Sequence, residues 1–107
     1  MKPQNETVSY KGEDMIQALC EIEYILISLN DMGHYYYTHP DRPPTPDTHI
    51  AYALETTRFI DENRICDRLN KVRSILCAGF DEGLGDDDMD DIERVVEKLK
   101  FWRKPGD

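Results

Sequence analysis

The sequence predicts an all-α fold, a small antiparallel bundle of three long helices. Glycines and prolines divide the chain into three intervals, residues 13–32, 47–78 and 86–104, and apolar residues recur in each of them at a helical spacing. The chain has 107 residues, the size of one domain with one modest core. We therefore expect a single helical domain over residues 1–107.

The first interval follows the helical period along most of its length. Its apolar residues fall at i, i+4, i+7, i+11 and i+14: Met15, Leu19, Ile22, Leu26 and Leu29. Gly33 favours a C-terminal end to this helix. Residues 1–11 precede the periodic pattern and are expected to form a flexible N-terminus.

The middle interval starts with a strong helix signal and is apolar on two sides. Thr45 and Pro46 supply an N-cap hydroxyl and a proline at the first helical position. One apolar line contains Ile50, Leu54, Ile65, Leu69, Val72 and Leu76, and the opposite line contains Tyr52, Phe59 and Cys66. A helix with two apolar sides must be covered twice, by both other helices or by a partner chain. The second line is therefore a candidate dimer interface.

The polar triplet Asp61-Glu62-Asn63 bears on how many helices the fold contains. A break there would divide the middle helix and give four helices, whereas a continuous or kinked helix gives three; we favour the continuous form. A proline-rich loop is expected over residues 38–46 and a glycine-rich acidic loop over residues 79–85. The third helix is predicted over residues 86–104, with acids at its start and bases at its end that complement the helix dipole.

Negative charge is concentrated in one segment. The chain carries 22 acidic and 13 basic residues, a net charge of −9. Residues 81–97 hold nine acids and one base, a net −8, so the remaining 90 residues, with 13 acids and 12 bases, carry −1. A basic run follows directly at Lys98, Lys100, Arg103 and Lys104. Charge segregated in this way acts on a partner through its local field.

Two groups of residues are candidate partner-binding sites. The first is acidic: Asp86, Asp87, Asp88, Asp90, Asp91 and Glu93. Five aspartates in six residues exceed what capping one helix requires, so we expect this segment to contact a basic protein. The second is the run of Tyr35, Tyr36 and Tyr37, because three consecutive tyrosines cannot all face one core and tyrosine is enriched in interfaces.

Metal binding and catalysis are both disfavoured. Four acids match ligand positions of a calcium loop: Asp86, Asp88, Asp90 and Glu97. The match fails because Asp91 occupies the position at which the sharp turn needs glycine. A metal-dependent enzyme is a further alternative, in which the ligands would be His34, His39 and His49. The spacing of these histidines fits no ligand signature. We expect no metal, no cofactor and no catalytic residue.

These observations predict a protein-binding module. Its most concrete form is a small acidic inhibitor or immunity-type protein that blocks a basic site on a toxin, nuclease or nucleic-acid-binding protein. A nucleic-acid mimic and a homodimeric helical adaptor or regulator are the alternatives. The charge disfavours direct nucleic-acid binding, and apolar runs of at most five residues disfavour a membrane span. Three cysteines without a CxxC pair favour a cytoplasmic protein with reduced thiols.

Overall fold

The computed structural model describes all 107 residues and contains helices but no β-strand, which confirms the all-α prediction. A 3-10 helix covers Pro3–Asn5, and the α-helices are α1 Gly12–Tyr37, α2 Pro46–Glu62, α3 Ile65–Cys77 and α4 Asp91–Val96. None of them has the length and hydropathy that a membrane span requires. The chain forms two compact units, residues 11–76, and residues 1–10 with 77–107, which are described in turn. The expectation of a single domain stays a prediction.

α1 and α2 pack against each other in opposite directions through aromatic side chains. Near the end of α1, the rings of Tyr36 and Tyr37 lie 5.9 and 5.1 Å from the ring of Tyr52. Further toward the start of α1, the Tyr24 ring lies 5.9 Å from the Phe59 ring. Late residues of α1 thus meet early residues of α2, as an antiparallel pair requires. The buried apolar residues of the chain are Ala18, Phe59, Ile65 and Val72.

α2 begins where the sequence predicted, with a reciprocal cap. The Thr45 hydroxyl accepts a hydrogen bond from the Thr48 backbone N–H at 3.3 Å, and the Thr48 hydroxyl accepts one from the Thr45 N–H at 3.0 Å. Pro46 occupies the first turn, where its missing N–H costs nothing. Two of the unpaired donors at this helix end are therefore satisfied.

The predicted middle helix is broken, so the four-helix alternative is correct and the favoured continuous helix is wrong. α2 ends at Glu62, and Arg64 has a left-handed backbone with φ of 51° before α3 begins. The Asn63 side chain donates to the Phe59 carbonyl at 3.2 Å and accepts from the Tyr24 hydroxyl at 3.0 Å. These bonds add to the backbone bond from the Asn63 N–H to the Phe59 carbonyl and hold Asn63 at the end of α2, because asparagine competes well for nearby backbone groups.

α3 is attached to α1 by charge and by one aromatic ring. Glu21 of α1 accepts a hydrogen bond from the Arg68 guanidinium at 3.0 Å and lies 3.8 Å from the Lys71 ammonium. The same guanidinium sits over the Tyr24 ring, 4.1 Å from its centre. Arg68 therefore neutralises Glu21 and packs on α1 at once.

The two apolar lines of the middle segment change sides at the break: in α3, Ile65 and Val72 of the first line are buried, whereas in α2 the aromatic line faces inward, against the prediction. Tyr52 and Phe59 pack on α1, whereas Leu54 on the other line is 61% exposed and Ile50 is also exposed. Cys66 lies exposed on α3. Aromatic side chains bury more area than leucine or isoleucine, so turning the aromatic line inward removes more apolar surface from water.

The last predicted helix is much shorter than expected, and this is a second correction. Of residues 86–104, only Asp91–Val96 form a helix. Residues 85–90 form a turn instead, in which the Gly85 N–H donates to the Met89 carbonyl at 2.9 Å. Beyond Val96 the large side chains are exposed, and a short helix without a packed apolar face is not stable.

Residues 1–11 were expected to be a flexible N-terminus, but Lys2, Gln4 and Asn5 are hydrogen-bonded to Asp81 and Asp91 of the C-terminal segment. Asn5 is 4% exposed. Its side-chain amide donates to the Asp91 carboxylate at 2.7 Å and to the Asp81 carbonyl at 3.1 Å, and its amide oxygen accepts from the Asp81 N–H at 2.8 Å. The second compact unit is therefore closed by its N-terminal residues.

We predict that Phe59→Ala lowers the free energy of unfolding by about 3 kcal/mol, because it removes a buried ring and leaves a cavity against Tyr24. Leu54→Ala, at an exposed position, should lower it by less than about 1 kcal/mol. Urea denaturation followed by circular dichroism measures both values. The reverse ranking would mean that the Leu54 line faces the core.

Candidate functional site

The acidic segment folds into a turn that leads into α4, and we name residues 85–94 the acidic turn. The Gly85 N–H donates to the Met89 carbonyl, and Asp88 adopts a left-handed backbone with φ of 58°. The Asp90 carboxylate then accepts from the Glu93 N–H at 2.7 Å, which caps the helix. The turn and its cap fix the directions in which the acids point.

Arg94 is the centre of the acidic turn. Its guanidinium donates two bonds to Asp87, from Nε to Oδ2 at 2.7 Å and from Nη2 to Oδ1 at 2.9 Å. It also donates to Asp91 Oδ1 at 2.8 Å and to the Met89 carbonyl at 3.1 Å. This bidentate pairing holds the pKa of Asp87 well below its usual range and raises the pKa of Arg94. One base thus organises two acids and the backbone between them.

Asp91 is a structural acid that holds the N-terminal residues. It is 5% exposed, and its Oδ2 accepts from the Asn5 amide at 2.7 Å and from the Lys2 backbone N–H at 2.8 Å. The Asn5 bond, then the Lys2 and Arg94 bonds, lower the pKa of Asp91 to about 2. A carboxylate so surrounded by donors is ionised, and its burial leaves it inaccessible to a partner.

The structure divides the six predicted acids into two sets of three. Asp87 and Asp91 are paired with Arg94, and Asp90 caps α4. The other set has exposed carboxylates without a side-chain hydrogen bond or ion pair: Asp86, Asp88 and Glu93. We name this second set the free acids. Only the free acids can contact a partner without dismantling the turn.

The tyrosine run is divided in a similar way. Tyr36 and Tyr37 pack on Tyr52, and the Tyr37 hydroxyl also lies 2.7 Å from His49 Nδ1. Tyr35 remains exposed, with the Arg42 guanidinium 4.5 Å above its ring. Tyr35 is therefore the member of the run that a partner can reach.

The remaining candidates are located as follows. Of the dimer-interface candidates, Tyr52 and Phe59 pack on α1 and Cys66 is an exposed free thiol. No three histidine, cysteine, aspartate or glutamate side chains are grouped so that they could hold a metal ion. The accessible part of the predicted site is thus the free acids and Tyr35.

Sequence reasoning missed the roles of Asn5 and Lys2, which lie more than 85 residues from Asp91. No local pattern connects such distant positions. Arg94 did carry a signal, because it is the only base in residues 81–97 and lies three residues after Asp91 on the helix. A lone base among nine acids indicates a structural pairing.

We predict that Asp91 makes part of the stability depend on pH. Its folded pKa of about 2 lies below its ordinary value of 3.8, so its contribution is fully present above about pH 4 and is lost as the pH falls toward 2. Asp91→Asn should lower the melting temperature at pH 7 and flatten its decline between pH 4 and 2. Asp88→Asn, the exposed control, should leave both unchanged. Equal acid sensitivity in Asp91→Asn and the parent, by circular dichroism, would contradict this role.

Comparison of the chain with protein-family models, with curated proteins and with solved structures finds no match. What the acidic turn does must therefore be argued from its geometry. That geometry is a fixed turn, tied together by Arg94 and Asp91, that carries three carboxylates with no partner inside the chain.

Proposed function

We propose that this chain is a small acidic protein-binding module of the cytoplasm that inhibits a basic protein by covering its cationic site. The observation that carries the proposal is the set of free acids, whose carboxylates are exposed and unpaired although a base lies within the same turn. A toxin, nuclease or nucleic-acid-binding protein presents the kind of cationic site that such a group fits.

The rigidity of the turn supports this proposal. Charges on a preorganised turn lose little side-chain and backbone freedom on binding, so more of their attraction is retained as affinity. Arg94 fixes the turn from inside through Asp87 and Asp91, and Asp90 fixes the start of α4. Asp87, Asp90 and Asp91 therefore hold the turn that carries the free acids.

Electrostatic attraction also accelerates association. A concentrated negative field steers a cationic partner toward the turn, and opposing like charges exclude acidic partners. A nucleic-acid mimic would instead spread its negative charge over a whole face, whereas 90 of the 107 residues here carry a net charge of only −1. The charge placement thus favours a local contact with one basic partner.

We predict that Asp86→Asn, Asp88→Asn and Glu93→Gln together weaken the complex by about tenfold or more, since three charge contacts of modest strength are lost. The partner would be captured from source cells with the parent chain, identified, purified, and titrated by calorimetry at several salt concentrations. The parent affinity should fall steeply with salt, and the variant affinity less steeply.

A matched control removes the same charge elsewhere. Asp41→Asn, Asp61→Asn and Glu62→Gln neutralise three exposed acids of the other compact unit. This control should keep the parent affinity within about twofold, because these charges lie outside the proposed contact. If the control and the test variant lose affinity equally, net charge alone drives binding and the assignment to the acidic turn is wrong.

A further inference from the structure

The side of α1 that points away from α2 carries an exposed apolar surface with one carboxylate inside it. At 100° per residue, five side chains lie within about 100° of arc: Ile16, Leu19, Glu23, Leu26 and Ile27. All five are exposed, and we name them the α1 outer face. Glu23 makes no ion pair. Any molecule that covers this face must also neutralise a carboxylate, because a buried unpaired charge is strongly destabilising.

α1 offers no cation of its own for this purpose. The helix has five acids and neither lysine nor arginine between Gly12 and Tyr37. Pairing of two α1 helices through this face would bring like charges together, which disfavours that arrangement. The occupant must therefore bring both apolar and basic side chains.

The C-terminal segment of the same chain has this composition. Residues 98–104, which we name the basic tail, contain four bases and no acid. They follow α4 without regular structure, and their apolar side chains are exposed: Leu99, Phe101 and Trp102. Trp102 is 82% exposed, and of the four bases only Lys104 has an ion pair, with Asp107. An aromatic side chain so exposed commonly marks an interface.

We propose that the basic tail of one copy of this chain docks on the α1 outer face of a second copy, and that the exchange is reciprocal. The apolar and basic side chains of the tail complement the apolar and acidic side chains of the α1 outer face, so a second copy of this chain brings to each surface the groups that it requires. A two-fold axis makes the two contacts identical, so one pair of complementary surfaces closes a dimer and leaves neither exposed.

The dimensions of the two surfaces agree. Seven extended residues span about 23 Å, and the rise from Ile16 to Ile27 along the helix is about 17 Å. Each contact would remove roughly 800 Å² from water, so two contacts reach about 1,600 Å², the size of a standard specific interface. Lys98 and Lys100 would supply the cations that Glu23 requires.

This dimer is independent of the proposed inhibition. The free acids belong to neither the α1 outer face nor the basic tail, so they remain available to a partner in both copies. Failure of the dimer would leave the salt-dependent partner binding intact, and failure of partner binding would leave the dimer intact. The two sets of experiments therefore test different surfaces.

Trp102 is the only tryptophan of the chain and reports the docking directly. We expect the molar mass by light scattering to rise from one to two copies between micromolar and near-millimolar concentration. The Trp102 emission should shift to shorter wavelength over the same range, as the ring leaves water. Leu19→Ser with Leu26→Ser should abolish both changes, whereas Ile50→Ser with Leu54→Ser, on the exposed side of α2, should abolish neither.

Charge reversal provides a sharper test. Glu23→Lys places a cation opposite the basic tail, and Lys98→Glu with Lys100→Glu places acids opposite Glu23, so each variant alone should dimerise at least about tenfold more weakly. Mixing the two variants restores an opposite-charge pair at both contacts, and a heterodimer should form. Recovery on mixing cannot result from misfolding of either variant.

Three results would overturn the proposal. One is a chain that stays monomeric at every concentration. Another is a Trp102 emission maximum that lies at short wavelength even at the lowest concentration and does not change with concentration. The third is a monomer whose Trp102 emission shifts only when vesicles containing phosphatidylserine are added, which would assign the basic tail to an anionic membrane surface.

Discussion

α1 has more apolar surface than its neighbours can cover, and the rest of the structure depends on this constraint. The helix is about 39 Å long, whereas α2 and α3 are about 26 and 20 Å long. Placed in series, with the turn at Asn63 between them, the two shorter helices match the length of α1. They can therefore cover one side of it from end to end, but they cannot also cover a second side.

The covered side of α1 is the side on which its tyrosines contact the aromatic rings of α2. Tyr24, Tyr36 and Tyr37 of α1 meet Phe59 and Tyr52 of α2. Aromatic rings are large, so a few of them fill the space between α1 and α2. The number of buried apolar residues in the chain is correspondingly small. Some of the leucines and isoleucines that form the regular pattern in α1 are therefore exposed. Leu19 and Leu26 are two of them, and both belong to the α1 outer face.

Periodicity indicated the helices but not which side of each helix faces inward. The all-α class, the start of α2 at its Thr45 cap and the position at which a break could occur followed from local signals, because capping and turn formation are decided within a few residues. That the helix does break there was not predicted. Two apolar lines run along the middle segment, a longer one from Ile50 to Leu76 and a shorter one from Tyr52 to Cys66, and spacing alone does not decide which of them faces α1. Which line faces α1 depends on how its side chains pack against that helix, and this is a property of the tertiary structure.

The acidic site was predictable as a segment but not in its internal division. Five aspartates in six residues identified where the excess charge lies. Which of them are available depends on Asn5 and Lys2, whose contacts with Asp91 join the two ends of the chain. Such long-range hydrogen bonds leave no periodic trace in a single sequence. The length of the last helix was overestimated for a related reason, since its large apolar side chains beyond Val96 are exposed and do not pack within the chain.

The acidic and basic segments are adjacent in sequence, yet the basic tail forms no ion pair with the acidic turn. Arg94 neutralises Asp87 and Asp91 from within, and the tail's only ion pair joins Lys104 to Asp107. If these opposite charges served only to keep the chain soluble, they would pair at little cost over so short a separation. Their separation agrees with the proposal that they serve different contacts. The free acids suit a cationic partner, and the basic tail, with its exposed Trp102, suits a surface that is both apolar and acidic.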